Sequence, residues 1–152
     1  MKAQQLLDNL ASTMQLPGLP LNEDHCARLV FDSNIAVDFE CDPLSGELFV
    51  HCDLGFLPLS GREGLYRRLL EANLYGQQTM RATLALDPSS ETVVLWRVVL
   101  AEELSLEAFQ KVVEDFLNCA EGWMGEIERS GARSEPQSGG MPDASMGGYM
   151  AV

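Results

Sequence analysis

The chain reads as an α+β domain of order α-β-β-β-α-β-β-α, a twisted antiparallel sheet packed by helices. Three observations predict it. Apolar residues alternate with period two in one group of three segments and one group of two, and short Asp/Ser/Pro/Gly turns join the segments within each group. Segments with helical periodicity precede, separate and follow these groups. The stretch Leu65 to Leu100 also carries apolar residues on two sides of a helix and on both faces of a strand, more than a small monomer hides.

Each element has its own signature. Ala3, Leu6, Leu7, Leu10, Ala11 and Met14 recur at helical spacing, and Pro17, Gly18 and Pro20 stop the first helix before Pro17. Cys26 to Phe31 gives a first strand, turned by Asp32, Ser33 and Asn34 into a second. There Ile35, Val37, Phe39 and Cys41 face one side, and Ala36, Asp38 and Glu40 the other. After the turn Asp42 to Gly46, a third strand sets Leu48, Val50, Cys52 and Leu54 against Glu47, Phe49, His51 and Asp53. Ser60 and Glu63 form an S-x-x-E capping box for a second helix reaching about Leu74, with one stripe of Leu65 and Leu69 and another of Tyr66, Leu70 and Leu74.

Met80, Ala82, Leu84 and Leu86 predict the inner face of a fourth strand, and Asp87 to Ser90 turns it into a fifth. On that fifth strand Thr92, Val94, Trp96, Val98 and Leu100 point one way. Val93, Leu95, Val99 and Ala101 point the other, with Arg97 the polar exception on that face. Ser105 is a good N-cap for a last helix lined by Leu106, Phe109, Val113, Phe116, Ala120, Trp123 and Ile127. Residues 1–129 therefore form the domain. From Ser130 the chain turns rich in Gly, Ser and Met without periodicity, the composition of a flexible tail over 130–152.

Composition narrows the function. One domain fits 152 residues, and a body of about 130 can bury roughly two thirds of its unfolded surface without crosslinks or metal. Ten basic against 23 acidic residues leave a net charge of −13, a field that repels phosphate backbones and anionic lipid, so nucleic acid and membrane are excluded as partners. Cys26, Cys41, Cys52 and Cys119 have no C-x-x-C spacing and read as core thiols of a reducing cytoplasm. No secretory signal or membrane span is expected.

Reactive constellations are missing. Neither G-x-x-x-x-G-K-[ST] nor G-x-G-x-x-G occurs, and G-x-S-x-G and H-E-x-x-H are absent, so no cofactor is called for and no catalytic residue emerges. His51 beside Cys52, with Cys41 on the preceding strand, is the nearest thing to a metal or thiol site. Adjacent strand residues point to opposite faces, however, so core thiols with a surface histidine are the better reading and no metal is expected.

With these elements in order, LPGLPLNEDHCARLVFD at Leu16 to Asp32, LLEANLYGQ at Leu69 to Gln77, LALDPSSETVVLWRVVL at Leu84 to Leu100 and FLNCAEGWMGEI at Phe116 to Ile127 resemble the class I type III secretion chaperones, the Tir chaperone (CesT-like) family of Gram-negative bacteria. The likeness spans Leu6 to about Ile127. It implies a cytoplasmic homodimer, without enzymatic activity, that holds the N-terminal chaperone-binding segment of one or more effector proteins in extended form, soluble and ready for export. It also implies the secretion ATPase as the agent of release. The family pattern places effector binding at Leu6, Leu10 and Met14 of the first helix with Leu29, Phe31, Val37 and Phe39 of the sheet. The dimer interface is expected at Tyr66, Leu70 and Leu74 with Trp96 and Val98. A second reading stays open, in which a chaperone-like regulator sequesters an anti-activator or other control protein of the secretion system.

Overall fold

A computed structural model describes residues 2–134, with side chains through 131. Helix α1 (Lys2–Thr13) is followed by strands β1 (Cys26–Phe31), β2 (Ile35–Cys41) and β3 (Glu47–Phe56). Helix α2 (Arg62–Asn73) runs into a 3-10 turn at Leu74–Gly76, then come β4 (Thr83–Asp87), β5 (Thr92–Leu100), a second 3-10 turn at Ala101–Glu103 and helix α3 (Leu106–Ser134). The strands make one antiparallel sheet in the order β1-β2-β3-β5-β4, which leaves β1 and β4 at its edges.

Local chemistry explains the turns. Asp32 and Ser33 both take left-handed backbone, φ 48° and 65°, the handedness that suits a tight hairpin between twisted strands. Asp87 accepts from the Ser89 backbone N–H at 2.9 Å and from its hydroxyl at 2.6 Å, closing the β4–β5 hairpin. At α3 the Ser105 Oγ accepts the Ala108 N–H at 3.1 Å, the expected cap.

The core forms on one sheet face. Val37, Phe39, Leu48, Val50, Cys52, Val93 and Leu95 are fully or nearly fully buried with Leu6, Leu7, Leu10 of α1 and Phe109, Val113, Phe116, Ala120 of α3. Helix α3 crosses β2 and β3, α1 packs on α3 and the Ala101–Glu103 turn, and α2 lies along β4. Phe39 and Phe109 meet as a tilted ring pair, centroids 6.3 Å apart. On the opposite face Arg28 donates two hydrogen bonds to its cross-strand partner Asp38, at 2.7 and 2.9 Å.

Three expectations change. Helix α2 has Gly61 as its N-cap, with left-handed φ of 73° and no side-chain cap bond, so Glu63 falls one position short of the capping-box geometry. Met80 lies outside β4, because left-handed backbone at Met80 and Arg81 delays the strand to Thr83. Its side chain and that of Leu86 are largely exposed, whereas Ala82 and Leu84 are buried. Helix α3 continues through Ser134, past the compositional change at Ser130, and the rest of the expected tail lies outside the described residues.

Candidate functional site

Helix α1 ends by folding back on itself. Met14 and Leu16 N–H groups donate to the Ala11 carbonyl at 3.0 and 2.9 Å, with Gln15 left-handed at φ 60° between them. This leaves Leu10 and Met14, one helical turn apart, beside the last residue of β1. Leu10, Thr13, Met14 and Phe31 form one wall of a groove, and Gln110, Val113, Glu114 and Leu117 of α3 form the other, around about 260 Å³ of space. Gln110 Nε2 reaches Asn9 Oδ1 at 3.4 Å and ties the walls together.

Of the residues expected to hold a peptide, Leu10, Met14 and Phe31 come together here. Leu6, Leu29, Val37 and Phe39 are buried in the core, at most 7% exposed. The α3 wall was missed, although Leu117 follows Val113 by four residues and so shares its flank.

The groove adjoins an open sheet edge. On β1, Cys26 turns its backbone away from β2: its N–H donates to Asn22 Oδ1 and its carbonyl accepts the Asn22 N–H, both at 2.9 Å. Asn22 thus stands in for a neighbouring strand at one residue. The alternation of an antiparallel ladder turns the backbone groups of Arg28 and Val30 to the same outer side. The Val30 side chain is half exposed, and Phe31 next to it enters the groove.

The other edge carries a second asparagine. Asn73, the last residue of α2, donates its Nδ2 to the Leu84 carbonyl at 2.9 Å and accepts the Leu84 N–H on Oδ1 at 2.8 Å, so its amide pairs with β4 as a strand residue would. Tyr66, Leu69, Leu70, Asn73, Leu84, Ala85 and Leu86 enclose about 360 Å³ of almost wholly apolar space at this place. Leu70 and Leu74 are 71% and 61% exposed, unusual for leucines on a helix beside a sheet. Trp96 and Val98, grouped with them from sequence, sit on the outer sheet face, Trp96 opposite Thr83 of β4 and 38% exposed.

Among the described residues the histidine and cysteines singled out from sequence do not come together. His51 Nδ1 lies 3.9 Å from Asp38 on the outer face, and Cys52 is in the core on the other side. Burial pushes the Cys52 and Cys119 thiols up to about 11, away from nucleophilic use. Among the described residues no cluster of His, Cys, Asp or Glu could hold a metal, and no helix is long and apolar enough to cross a membrane.

Comparison with known proteins decides the family. The profile of the Tir chaperone protein (CesT) family matches residues 5–124. The chain belongs to that family. Among similar proteins is the transcriptional anti-antiactivator ExsC of Pseudomonas aeruginosa, 29% identical over 122 residues, which are 80% of this chain and 83% of ExsC. The crystal structure of the ExsC–ExsE complex superposes with a TM-score of 0.70 at 27% identity, covering 83% of this chain and 93% of that one. In fold the chain also matches the HopA1–SchA chaperone–effector complex, with TM-score 0.69, 18% identity and coverage of 82% and 94%. The Yersinia pestis type III secretion chaperone SycH, bound to a fragment of YscM2, matches with TM-score 0.63, 21% identity and coverage of 78% and 97%. This open five-stranded sheet with its helices is thus the CesT-family secretion-chaperone fold.

Proposed function

We propose that the chain is a homodimeric type III secretion chaperone that holds the N-terminal segment of a secreted effector in extended form. It works in the cytoplasm without cofactor or catalysis, and the secretion ATPase is its partner at release. The observation that carries this reading is the groove between α1 and α3 opening at Phe31, the end of an edge strand whose backbone faces outward. An extended guest can pair with β1 while alternate side chains enter the groove. A fully buried apolar anchor is worth about 1.5–3 kcal/mol and ordering the guest costs about 1–2 kcal/mol per residue, so with one anchor per two residues the main-chain hydrogen bonds to β1, about 0.5–1.5 kcal/mol each, have to tip the balance. HopA1 bound to SchA and ExsE bound to ExsC supply precedents within the same fold.

Exposure decides which variant tests the groove. Met14 is 36% exposed and Leu10 only 5%, so Met14→Asp should keep the fold whereas Leu10→Asp endangers it. We expect Met14→Asp to weaken capture of the co-purifying guest at least tenfold, with circular dichroism unchanged. Unaltered capture by the folded variant would remove the groove from the binding surface.

A second reading rests on one observation, the likeness to an anti-antiactivator at 29% identity. On that reading the guest is a control protein of the secretion system and its sequestration alters transcription. Mass spectrometry of the native complex separates the two: a protein recovered from the culture medium after induction fits the chaperone, one retained inside the cell the regulator.

A further inference from the structure

Arg97 is the lone polar residue on the helix-covered face of β5, and the function so far gives it nothing to do. It lies in an open cavity of about 490 Å³ beneath the connection from α2 to β4. Tyr75, Met80 and Arg81 of that connection, Arg97 of β5, and Lys111 and Asp115 of α3 line it. The connection is tightly wound. Tyr75, Gly76, Met80 and Arg81 all have left-handed φ, between 53° and 68°, and the Arg81 N–H donates to the Gly76 carbonyl at 2.8 Å. A Cβ on Gly76 would come within 3.3 Å of the Arg81 Cα, so with its left-handed φ the position favours glycine, and a side chain there would have to push the backbone aside by a few tenths of an ångström. The winding places Arg81 beside Arg97, whose Nη1 donates to the Met80 carbonyl at 3.0 Å.

The charges are out of keeping with the rest of the surface. The chain has 23 acidic residues for 10 basic ones, yet three of those ten meet in this cavity. Arg28, Arg62, Arg67, Arg68 and Arg129 each have a carboxylate within ion-pair distance. Arg81 and Arg97 have none among the described residues, and the cavity's own acid, Asp115, is held by Lys111 at 2.6 Å. Burial and then repulsion by Arg81 push the Arg97 guanidinium below its ordinary pKa. Two like charges, one partly desolvated, therefore stay together with Asp115, itself paired with Lys111, as the cavity's one carboxylate and a longer-range attraction on Arg97.

We propose that this cavity receives an aspartate or glutamate side chain of the bound polypeptide. The occupant follows from the lining: two guanidinium forks suit a carboxylate, and the exposed Tyr75 and Met80 at the rim suit the apolar stem and neighbours of a peptide side chain. The cavity and the groove lie on opposite flanks of α3, which contributes Lys111, Val112 and Asp115 to one and Gln110, Val113, Glu114 and Leu117 to the other. Because the surrounding field repels acidic segments, a single cationic point selects a guest with an acid at one place and fixes its register. This inference rests on the peptide-holding function proposed above.

The probe is the tetrapeptide acetyl-Leu-Glu-Leu-Glu-amide, titrated into the isotope-labelled full chain and followed by amide and arginine side-chain resonances. We expect saturable shifts at residues 75–81 and at the Arg97 Nε–H, an affinity at least tenfold above that of the Leu-Gln-Leu-Gln analogue, and loss of both in Arg81→Gln/Arg97→Gln. Exposed Arg81 alone, as Arg81→Gln, should weaken binding severalfold even if the double variant does not fold. Equal shifts with the glutamine peptide, or binding retained in a folded Arg81→Gln, would overturn the proposal, as would inorganic phosphate binding as tightly as the glutamate peptide. With the native guest the two ideas separate. If Met14→Asp weakens capture and Arg81→Gln does not, the acid site alone fails; if neither does, the peptide-holding function fails as well.

Discussion

Cys52 and Cys119 show how one residue's surroundings become a property of the whole fold. Both thiols are buried, and desolvation raises them from 9.0 to about 11. A raised acid keeps its proton in the folded state while the unfolded chain gives it up at the ordinary value. The stability this difference contributes is complete below pH 9.0 and is lost as pH climbs toward about 11. Denaturant midpoints should accordingly hold level up to about pH 8.5 and fall beyond it. The fall should be smaller in Cys52→Val/Cys119→Val, and an identical decline in that variant would assign the alkaline loss to other groups. The apolar pattern around these residues placed them in the core correctly, since a strand or helix face is legible from spacing alone. The same pattern does not distinguish a groove from a core: Leu6 and Leu10 share a stripe on α1, yet only Leu10 reaches the groove, because the position of α3 decides which turn is covered.

Elements were most legible where their signals are local. Alternation gave every strand, and the hairpin at Asp32 and the Ser105 cap needed only short-range chemistry. The starts of α2 and β4 were misplaced because left-handed residues at Gly61, Met80 and Arg81 are set by the packing around them. Asn73 was invisible for a related reason: its partner Leu84 is eleven residues away, and nothing in the sequence says that an amide at a helix end will lie against an edge strand. Asn73→Ala strips both bonds from a part-buried backbone site. A loss of about 1–3 kcal/mol in chemical denaturation is expected, and amide exchange at Leu84 should accelerate sharply. A variant as stable as the parent, with Leu84 still protected, would mean that water replaces the amide without cost.

For the whole molecule the outstanding quantity is uncovered apolar surface. The space bounded by Tyr66, Leu70 and Leu86, with Leu70 and Leu74 exposed beside it, is the apolar surface we propose a second copy covers. Leu70→Asp should yield a folded monomer in sedimentation, because a residue already 71% exposed contributes little to the protomer's own core. A dimer persisting in that variant would move the contact elsewhere, with the outer face at Trp96 and Val98 next in line. Openness of this kind carries a hazard at both rims of the sheet. A ribbon able to take on a foreign strand is also a template for fibrils of its own kind. Asn22 and Asn73 each stopper one rung of that ladder with an amide, leaving a shorter stretch from which a fibril could seed. Removing either stopper should therefore show itself first as clumping on storage.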